Sequence, residues 1–132
     1  MKFILLVYNE PAALDSLPAG DFDNKMRHCL AHADELKHNG RLIESQMLED
    51  ASTAKSVRIR NGRQTTLDGP FAETKEVLGG FNLIEAENID EAVRMAAGFP
   101  WAQTGTIEVR PVRDIETVRQ RVFAVEQVAT PR

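Results

Sequence analysis

The chain has 132 residues, of which 42% are hydrophobic and 27% charged, a composition typical of one globular domain with a single core. Its formal net charge of −4 at pH 7 argues against direct nucleic-acid binding, because such binding needs a basic face. No apolar run approaches the ~20 residues of a membrane span, and no secretory signal is evident, so no membrane contact is expected. The single cysteine, Cys29, cannot form an internal disulfide, and we expect a cytoplasmic protein.

The first third of the chain predicts a central strand and a long helix. Residues 3–8 are apolar at every position, which is typical of a strand buried on both faces. Asp21 is predicted to cap a helix that runs to about residue 39 and ends at Gly40, where a left-handed conformation is favoured. One side of this helix carries an apolar stripe with helical spacing. The stripe consists of Phe22, Met26, Cys29, Ala33 and Leu36.

The middle of the chain predicts further strands. Residues 41–48 are predicted to form the second strand, and residues 57–67 form a β-hairpin whose Asn61-Gly62 pair is the strongest short hairpin signal. Another strand is predicted over residues 77–86. The pair Gly79-Gly80 within it predicts a bulge or a close approach of two backbones.

The last third predicts a helix, a strand and a terminal helix. Asn88 is expected to cap the first of these helices. Its inward residues are predicted to be Ile89, Ala92, Val93 and Ala96. Residues 106–112 form the last predicted strand, and Asp114 begins the terminal helix. The apolar stripe of that helix, which must be buried against its own sheet or a second subunit, comprises Ile115, Val118, Val122 and Val125.

This order of elements predicts an α+β protein in which two helices cover one face of a mostly antiparallel sheet. The opposite face of the sheet would then be bare, although the first strand is apolar on both sides. We therefore predict a homodimer that forms by stacking of two sheets.

The most unusual run in the sequence is the polar loop DGPFAETKE at residues 68–76. Gly69 and Pro70 restrict this loop to one shape, because proline fixes its own φ and disfavours the α region for the residue before it. Together with Gly79-Gly80-Phe81 and the run IEVRPV at residues 107–112, the loop resembles the DGPF-domain proteins of the YCII-related family. The resemblance covers about residues 1–112.

The resemblance implies a ferredoxin-like fold of the dimeric α/β-barrel type, to which the residues themselves add an inserted β-hairpin and a C-terminal helix. We therefore predict one YCII-related domain over residues 1–132 of a bacterial protein, in which residues 113–132 lie beyond the resemblance and form a helical extension. Most members of the family have no determined biochemical role, so the resemblance implies a fold more closely than a function.

Related YCII proteins carry a His-Asp pair with the histidine on the first helix, which makes His32 and Asp68 the candidate catalytic pair. A carboxylate that accepts a hydrogen bond orients the imidazole, whose other nitrogen is then free for acid–base work. The alternatives are a surface or capping role for His32, a family site at His28 or Cys29, and turn-holding by Asp68. His28 and His32 lack a third ligand, so no metal site is predicted.

The residues predicted to bind a substrate lie on the loop and on neighbouring strands. They are Tyr8, Gly69, Pro70, Phe71, Glu73, Lys75 and Arg110. Lys75 and Arg110 are the candidates for holding an anionic group, whereas Phe71 would form a wall of the pocket.

These features predict a small dimeric protein of undetermined biochemical role, with a pocket at the DGPF loop for a small anionic or carbonyl metabolite. Its chemistry would be cofactor-independent proton transfer, lyase or hydrolytic chemistry, so no cofactor is predicted. The alternative is a non-catalytic binding or regulatory module that acts with a protein partner through the terminal helix. The family resemblance links that alternative to sigma-factor-dependent transcription.

Overall fold

A computed structural model of the chain describes residues 1–72 and 74–129, with side chains described up to residue 124 in the last helix. The strands within these residues are β1 (Lys2–Asn9), β2 (Leu42–Met47), β3 (Lys55–Arg60), β4 (Arg63–Asp68), β5 (Val77–Glu85) and β6 (Thr106–Pro111). The helices are α1 (Pro11–Asp15), α2 (Asp21–His38), α3 (Ile89–Ala97), α4 (Trp101–Thr104) and α5 (Ile115–Ala129). A 3-10 turn at Ala51–Thr53 follows β2.

Four strands form one antiparallel sheet with the spatial order β2-β5-β1-β6. The chain runs β1, α2, β2, β5, α3, β6 through this layer, and β3 and β4 pair separately as a hairpin between β2 and β5. The predicted α+β class is therefore confirmed, and the strand order is consistent with a ferredoxin-like fold.

The core lies between the sheet and helices α2 and α3, which cover one of its faces. Phe3, Leu5 and Ile84 point from the sheet into this layer, and the last two are completely buried. The helices meet them with small or aliphatic residues, namely Ala33 and Leu36 of α2 and Ala92 and Ala96 of α3. Burial of a large apolar side chain contributes about 1.5–3 kcal/mol, so these contacts fix both helices on this face.

The opposite face of the sheet is apolar at its centre and only half-buried. Ile4 lies directly across from Leu83, and Leu6 lies across from Phe81. Burial along β1 alternates with period 2, so the prediction that this strand is buried on both faces is wrong for the single chain. The helices cover the face of Phe3, whereas no described element covers the face of Ile4, which we call the open face.

The glycine pair of β5 confirms both expectations drawn for it. The pairing of β1 with β5 skips Gly79, because Val7 pairs with Gly80 and Tyr8 with Leu78. Gly79 is therefore the extra residue of a β-bulge. At Gly80 the backbone of β2 comes so close that an added Cβ would lie 2.7 Å from the carbonyl oxygen of Gln46.

We expect Gly80→Ala to lower the free energy of unfolding by about 2 kcal/mol, because the new methyl group meets rigid backbone rather than a movable side chain. Gly79→Ala is the matched control, since the nearest atom to its Cβ is the Val7 carbonyl oxygen at 3.9 Å. That control should stay within about 0.5 kcal/mol of the wild type. Urea unfolding of both variants measures the difference, and equal midpoints would contradict it.

The ends and faces of the helices differ from the sequence prediction at two places. The N-cap of α2 is Gly20, with φ of 85° and no side-chain cap, and Asp21 is the first helical residue instead of the cap. In α3, the cap at Asn88 is confirmed by its hydrogen bond from the Glu91 amide. Ile89 and Val93 were predicted to face inward but are 45% and 50% exposed. The buried stripe is narrower than predicted, because Ala92 and Ala96 are the buried residues of this short helix and Met95 packs partly buried beside them.

Two segments stand out from the folded layer. The hairpin of β3 and β4 turns at Asn61 and Gly62, whose φ values of 54° and 73° confirm the predicted turn chemistry. Its strands are almost entirely exposed. Helix α5 is likewise exposed, with Ile115 at 67%, and the predicted stripe residue Val125 has a side chain outside the described residues.

Candidate functional site

A cavity of about 670 Å³ lies between the sheet and the first half of α2. Met26, Cys29 and Leu30 of α2 face it from one side, and β1, β2 and β5 close the other side. Helix α1 and the segment after β2 form the rim. We call this space the α2 cavity.

The cavity arises because the two halves of the apolar stripe of α2 pack differently. Its second half, at Ala33 and Leu36, packs into the core. In its first half, Phe22 and Met26 line the open space, whereas Cys29 lines it and also packs, partly buried, against the core. The aromatic ring of Phe22 lies against Trp101 of α4, with 5.6 Å between the ring centroids.

Three neutral polar side chains lie on the sheet side of the cavity. Asn9 and Asn82 are only 8% and 6% exposed. The hydroxyl of Ser45 donates to Oδ1 of Asn82 over 2.7 Å. The hydroxyl of Thr104 donates to Oδ1 of Asn9 over 2.8 Å. The oxygen of each amide is thus engaged within the protein, which leaves the Nδ2 donors for whatever occupies the cavity.

The charged groups of the cavity are all acidic. Asp15, Glu49 and Asp50 line its rim, and no lysine, arginine or histidine lines it within the described part of the chain. Hydrogen bonds from Ser52, of which the backbone amide gives the larger effect, hold the pKa of the Asp50 carboxyl below its usual value. This carboxylate is therefore charged throughout the neutral pH range.

The cavity also contains the thiol of Cys29. Burial raises the pKa of this thiol, and a hydrogen bond with Trp101 opposes that effect to a smaller extent. Cys29 is consequently a protonated, apolar wall residue at neutral pH and not a nucleophile, since the thiolate is the reactive form.

The predicted catalytic histidine lies outside the α2 cavity. Nε2 of His32 is 2.8 Å from the carbonyl oxygen of Met95, near the end of α3. Its ring meets the ring of the buried Phe99 edge to face, with centroids 4.5 Å apart. A Cβ on Gly98 would lie 2.4 Å from the ring, so the imidazole fills the gap between α2 and the end of α3.

The predicted partner of His32 lies on the hairpin. The carboxylate of Asp68 is 87% exposed and forms an ion pair with Lys55 over 2.6 Å. Within the described residues the structure does not bring His32 and Asp68 into contact, and their catalytic role stays a prediction. The turn after Asp68 is held instead by the amide of Gly69, which donates to the carbonyl of Ala54, and by the hydroxyl of Ser56, which donates to the carbonyl of Gly69.

The predicted substrate-binding residues lie on two surfaces away from the α2 cavity. Tyr8 and Arg110 are on the open face, where Arg110 pairs with Glu108. On the DGPF loop, Gly69 is half-buried with φ of 88°, and the others are exposed. These exposed loop residues are Pro70, Phe71 and Lys75. Glu73 lies outside the described residues. None of the described ones lines the cavity, so their binding roles also stay predictions.

The polar residues of the cavity were missed by the sequence analysis, although a signal for them exists. Asn82 occupies an inward position of β5, between Gly80 and Ile84, where an apolar residue is expected. Asn9 occupies the inward position that follows Val7. An amide at a buried register position of an apolar strand needs hydrogen-bond partners, and it therefore indicates a polar site.

The described residues offer neither a metal-binding cluster nor a membrane-spanning helix. Over the side chains that the structure describes, in residues 1–72 and 74–124, no group of three or more His, Cys, Asp or Glu residues is placed to hold a metal ion. No helix in the same residues is long and apolar enough to cross a membrane.

Comparison with known proteins agrees with the family resemblance. The chain is 33% identical over 114 residues to an uncharacterised protein of Rhizobium meliloti (strain 1021), and the match covers 85% of this chain and 92% of the relative. A solved structure with a similar fold is the 5-chloro-2-hydroxyhydroquinone dehydrochlorinase of Burkholderia phenoliruptrix AC1100 in complex with 2,5-dihydroxybenzoquinone. Its TM-score is 0.52 at 20% identity, with 86% of this chain and 94% of that chain covered. The sequence model of the YCII-related domain matches residues 1–116, and the chain therefore belongs to the YCII-related family.

Proposed function

We propose that the protein binds a small molecule in the α2 cavity. The observation that carries this proposal is the pair of buried amides, Asn9 and Asn82, whose oxygens are engaged inside the protein while both residues line an open space. The volume of about 670 Å³ falls within the roughly 300–1,000 Å³ that is usual for ligand sites. Apolar walls with a few fixed polar groups are the usual composition of such sites.

The similarity to a dehydrochlorinase supports small-molecule chemistry as the function. That enzyme was solved with 2,5-dihydroxybenzoquinone, a planar molecule that carries carbonyl oxygens. For this chain we propose cofactor-independent acid–base chemistry of the proton-transfer, lyase or hydrolytic class. The assignment of the acid–base pair to His32 and Asp68 is retained as part of this proposal. Because neither residue lines the α2 cavity, it requires Asp68 to leave Lys55 and His32 to leave the Met95 carbonyl.

The proposed functional unit is a homodimer that forms by stacking of the open faces. The centre of this face consists of Ile4, Leu6, Phe81 and Leu83, which the single chain leaves half-covered. Burying such a patch is favourable at about 25 cal/mol per Å² of apolar surface. A sheet face of this composition is unusual on a monomer, and it is typical of an association surface.

Trp101 provides a direct test of ligand binding, because it is the single tryptophan of the chain and lines the cavity. We expect members of a library of small aromatic carbonyl compounds to change its fluorescence saturably and to shift its indole N–H resonance. The same compounds should shift the side-chain amide resonances of Asn82. Binding that leaves both sets of resonances unmoved would contradict the proposal.

Asn82→Leu is the variant that tests the polar part of the site. It keeps the approximate volume of the side chain and removes the Nδ2 donor, so ligand affinity should fall by about tenfold. Asn24→Leu, at an exposed position of α2 outside the cavity, is the matched control and should bind as the wild type does. Thermal melting of both variants separates lost binding from lost folding.

One observation favours the alternative of a binding module that acts with a protein partner. Helix α5 presents Ile115, Val122 and Phe123 with about half or more of each side chain exposed. An apolar stripe on an exposed helix is a common recognition element for a groove on another protein. The second candidate function is therefore regulatory, with α5 as the contacting segment.

A further inference from the structure

We infer that the ligand of the α2 cavity is an uncharged planar ring that carries an oxygen acceptor, and that the site discriminates against anions. This inference rests on the proposed function, since it specifies the class of molecule that binds there. Of the anionic or carbonyl metabolites that the sequence suggested, it keeps the carbonyl class and excludes the anionic one.

The charges that line the cavity disfavour an anionic ligand. An anionic ligand is normally held by arginine, lysine or a helix N-terminus, which supply opposite charge or aligned donors. The described lining contains no cationic side chain, and Asp15, Glu49 and Asp50 stand at its entrance. A carboxylate or phosphate entering the cavity would lose its water and meet only charges of its own sign.

The amide donors of the cavity favour a ligand that carries a hydrogen-bond acceptor. Nδ2 of Asn82 and Nδ2 of Asn9 remain available, because the two Oδ1 atoms already accept from Ser45 and Thr104. A buried donor that meets another donor stays unpaired, whereas a carbonyl or ether oxygen satisfies it. The deep end of the cavity therefore selects an acceptor and rejects a cation, although the acidic rim alone would attract one.

The walls of the cavity favour a planar ring. The tilted pair of Phe22 and Trp101 offers aromatic surface on one side. The bulged backbone at Gly79-Gly80 lies on the sheet side and has no side chains to obstruct a flat molecule. Aromatic rings pack favourably in offset or edge-to-face contact with such a pair, so a ring fits this space better than a flexible chain.

The test uses three probes of one shape that differ in charge: benzamide, benzoate and benzamidine. Their dissociation constants are measured on the full chain at neutral pH and low salt, with the indole resonance of Trp101 as the readout of cavity occupancy. We expect benzamide to bind about tenfold or more tightly than either ion, because each ion leaves a charge or a donor unmatched. The naphthalene analogues of the three probes extend the test if affinity for a single ring is low.

Two variants test the cause of the discrimination. In Glu49→Gln with Asp50→Asn, the rim loses two charges and the cap at residue 50 is kept, because asparagine is also a good N-cap. In this double variant, whose two positions are exposed, the ratio of the benzoate to the benzamide dissociation constant should fall by about threefold or more. This fall should be smaller at high salt, because salt screens exposed charges. Asn82→Asp turns the deep donor into an acceptor, so benzamide should bind about tenfold more weakly.

The outcomes separate this inference from the proposed function. Benzoate or benzamidine binding at Trp101 as tightly as benzamide would overturn the inference and leave the α2 cavity as a ligand site. An unchanged preference in the rim double variant would overturn the electrostatic reason. Failure of every probe in both series to move Trp101 would overturn the proposed function as well.

Discussion

Leu83→Lys is expected to convert the proposed dimer into a monomer at micromolar concentration. Leu83 lies at the centre of the open face, directly across from Ile4 and beside the pair of Leu6 and Phe81. Stacking two such faces would bury the new ammonium group without a partner, which costs several kcal/mol. A loss of about 3 kcal/mol corresponds to a dissociation constant raised more than 100-fold. Sedimentation velocity over a concentration series measures it.

Val93→Lys is the matched control for this substitution. Val93 is also apolar and is 50% exposed, but it lies on α3 in the helical layer. The control should retain the mass of the dimer, and dissociation of both variants alike would point to general loss of structure instead of a sheet interface. A monomeric wild type would contradict the proposed assembly outright.

A chain that ends at Arg113 distinguishes the two candidate uses of α5 in the same experiment. If the shortened chain remains a dimer, the exposed stripe of α5 is free for another partner, as the regulatory alternative requires. If the shortened chain is monomeric, α5 itself forms part of the contact between subunits.

Much of the fold could be predicted because the local sequence signals for turns, bulges and helix caps agree with the pattern of burial. The hairpin turn followed from Asn61-Gly62, whose positive φ values few other residue pairs tolerate. The bulge and close approach followed from Gly79-Gly80, since only glycine lets two backbones come so near. The cap of α3 followed from Asn88, a residue whose side chain bonds a backbone amide in the next turn.

The candidate site was harder to predict because it depends on the point along α2 at which the helix no longer packs closely on the sheet. The stripe of α2 reads as one continuous apolar face, yet Ala33 and Leu36 enter the core while Phe22 and Met26 line a cavity. Helical spacing reports which side chains share a face and carries no information on how closely that face approaches the sheet. The loop that looked most unusual in the sequence, at Asp68-Gly69-Pro70, instead ends the exposed hairpin.

The family resemblance predicts a catalytic role for His32, yet its surroundings are those of a structural residue. His32 is held at both edges of its ring, by the carbonyl of Met95 and by Phe99, and it closes the gap beside Gly98. Such contacts orient the imidazole and occupy its Nε2, so acid–base work at this ring would fall to Nδ1. A sequence comparison cannot distinguish a ring that is oriented for catalysis from one that joins two helices, because both require histidine.

His32→Ala is expected to lower the free energy of unfolding by about 2 kcal/mol, whatever its effect on catalysis. The substitution removes a hydrogen bond worth about 1 kcal/mol and an aromatic contact worth about 0.5–1.5 kcal/mol. It also leaves a void between α2 and α3. Urea unfolding followed by Trp101 fluorescence measures the change. His28→Ala, at an exposed position one turn earlier on the same helix, should stay within about 0.5 kcal/mol of the wild type.

His32→Gln and Asp68→Asn then separate structure from chemistry. Glutamine can donate to the Met95 carbonyl, so His32→Gln should recover part of the lost stability while losing any acid–base function. Asp68→Asn should leave stability nearly unchanged, because its ion pair with Lys55 is exposed. Once a substrate is found, loss of turnover in both variants would support the His-Asp pair, and full turnover in both would refute it. An alanine variant as stable as the wild type would show that the contact with Met95 does not hold the helices together.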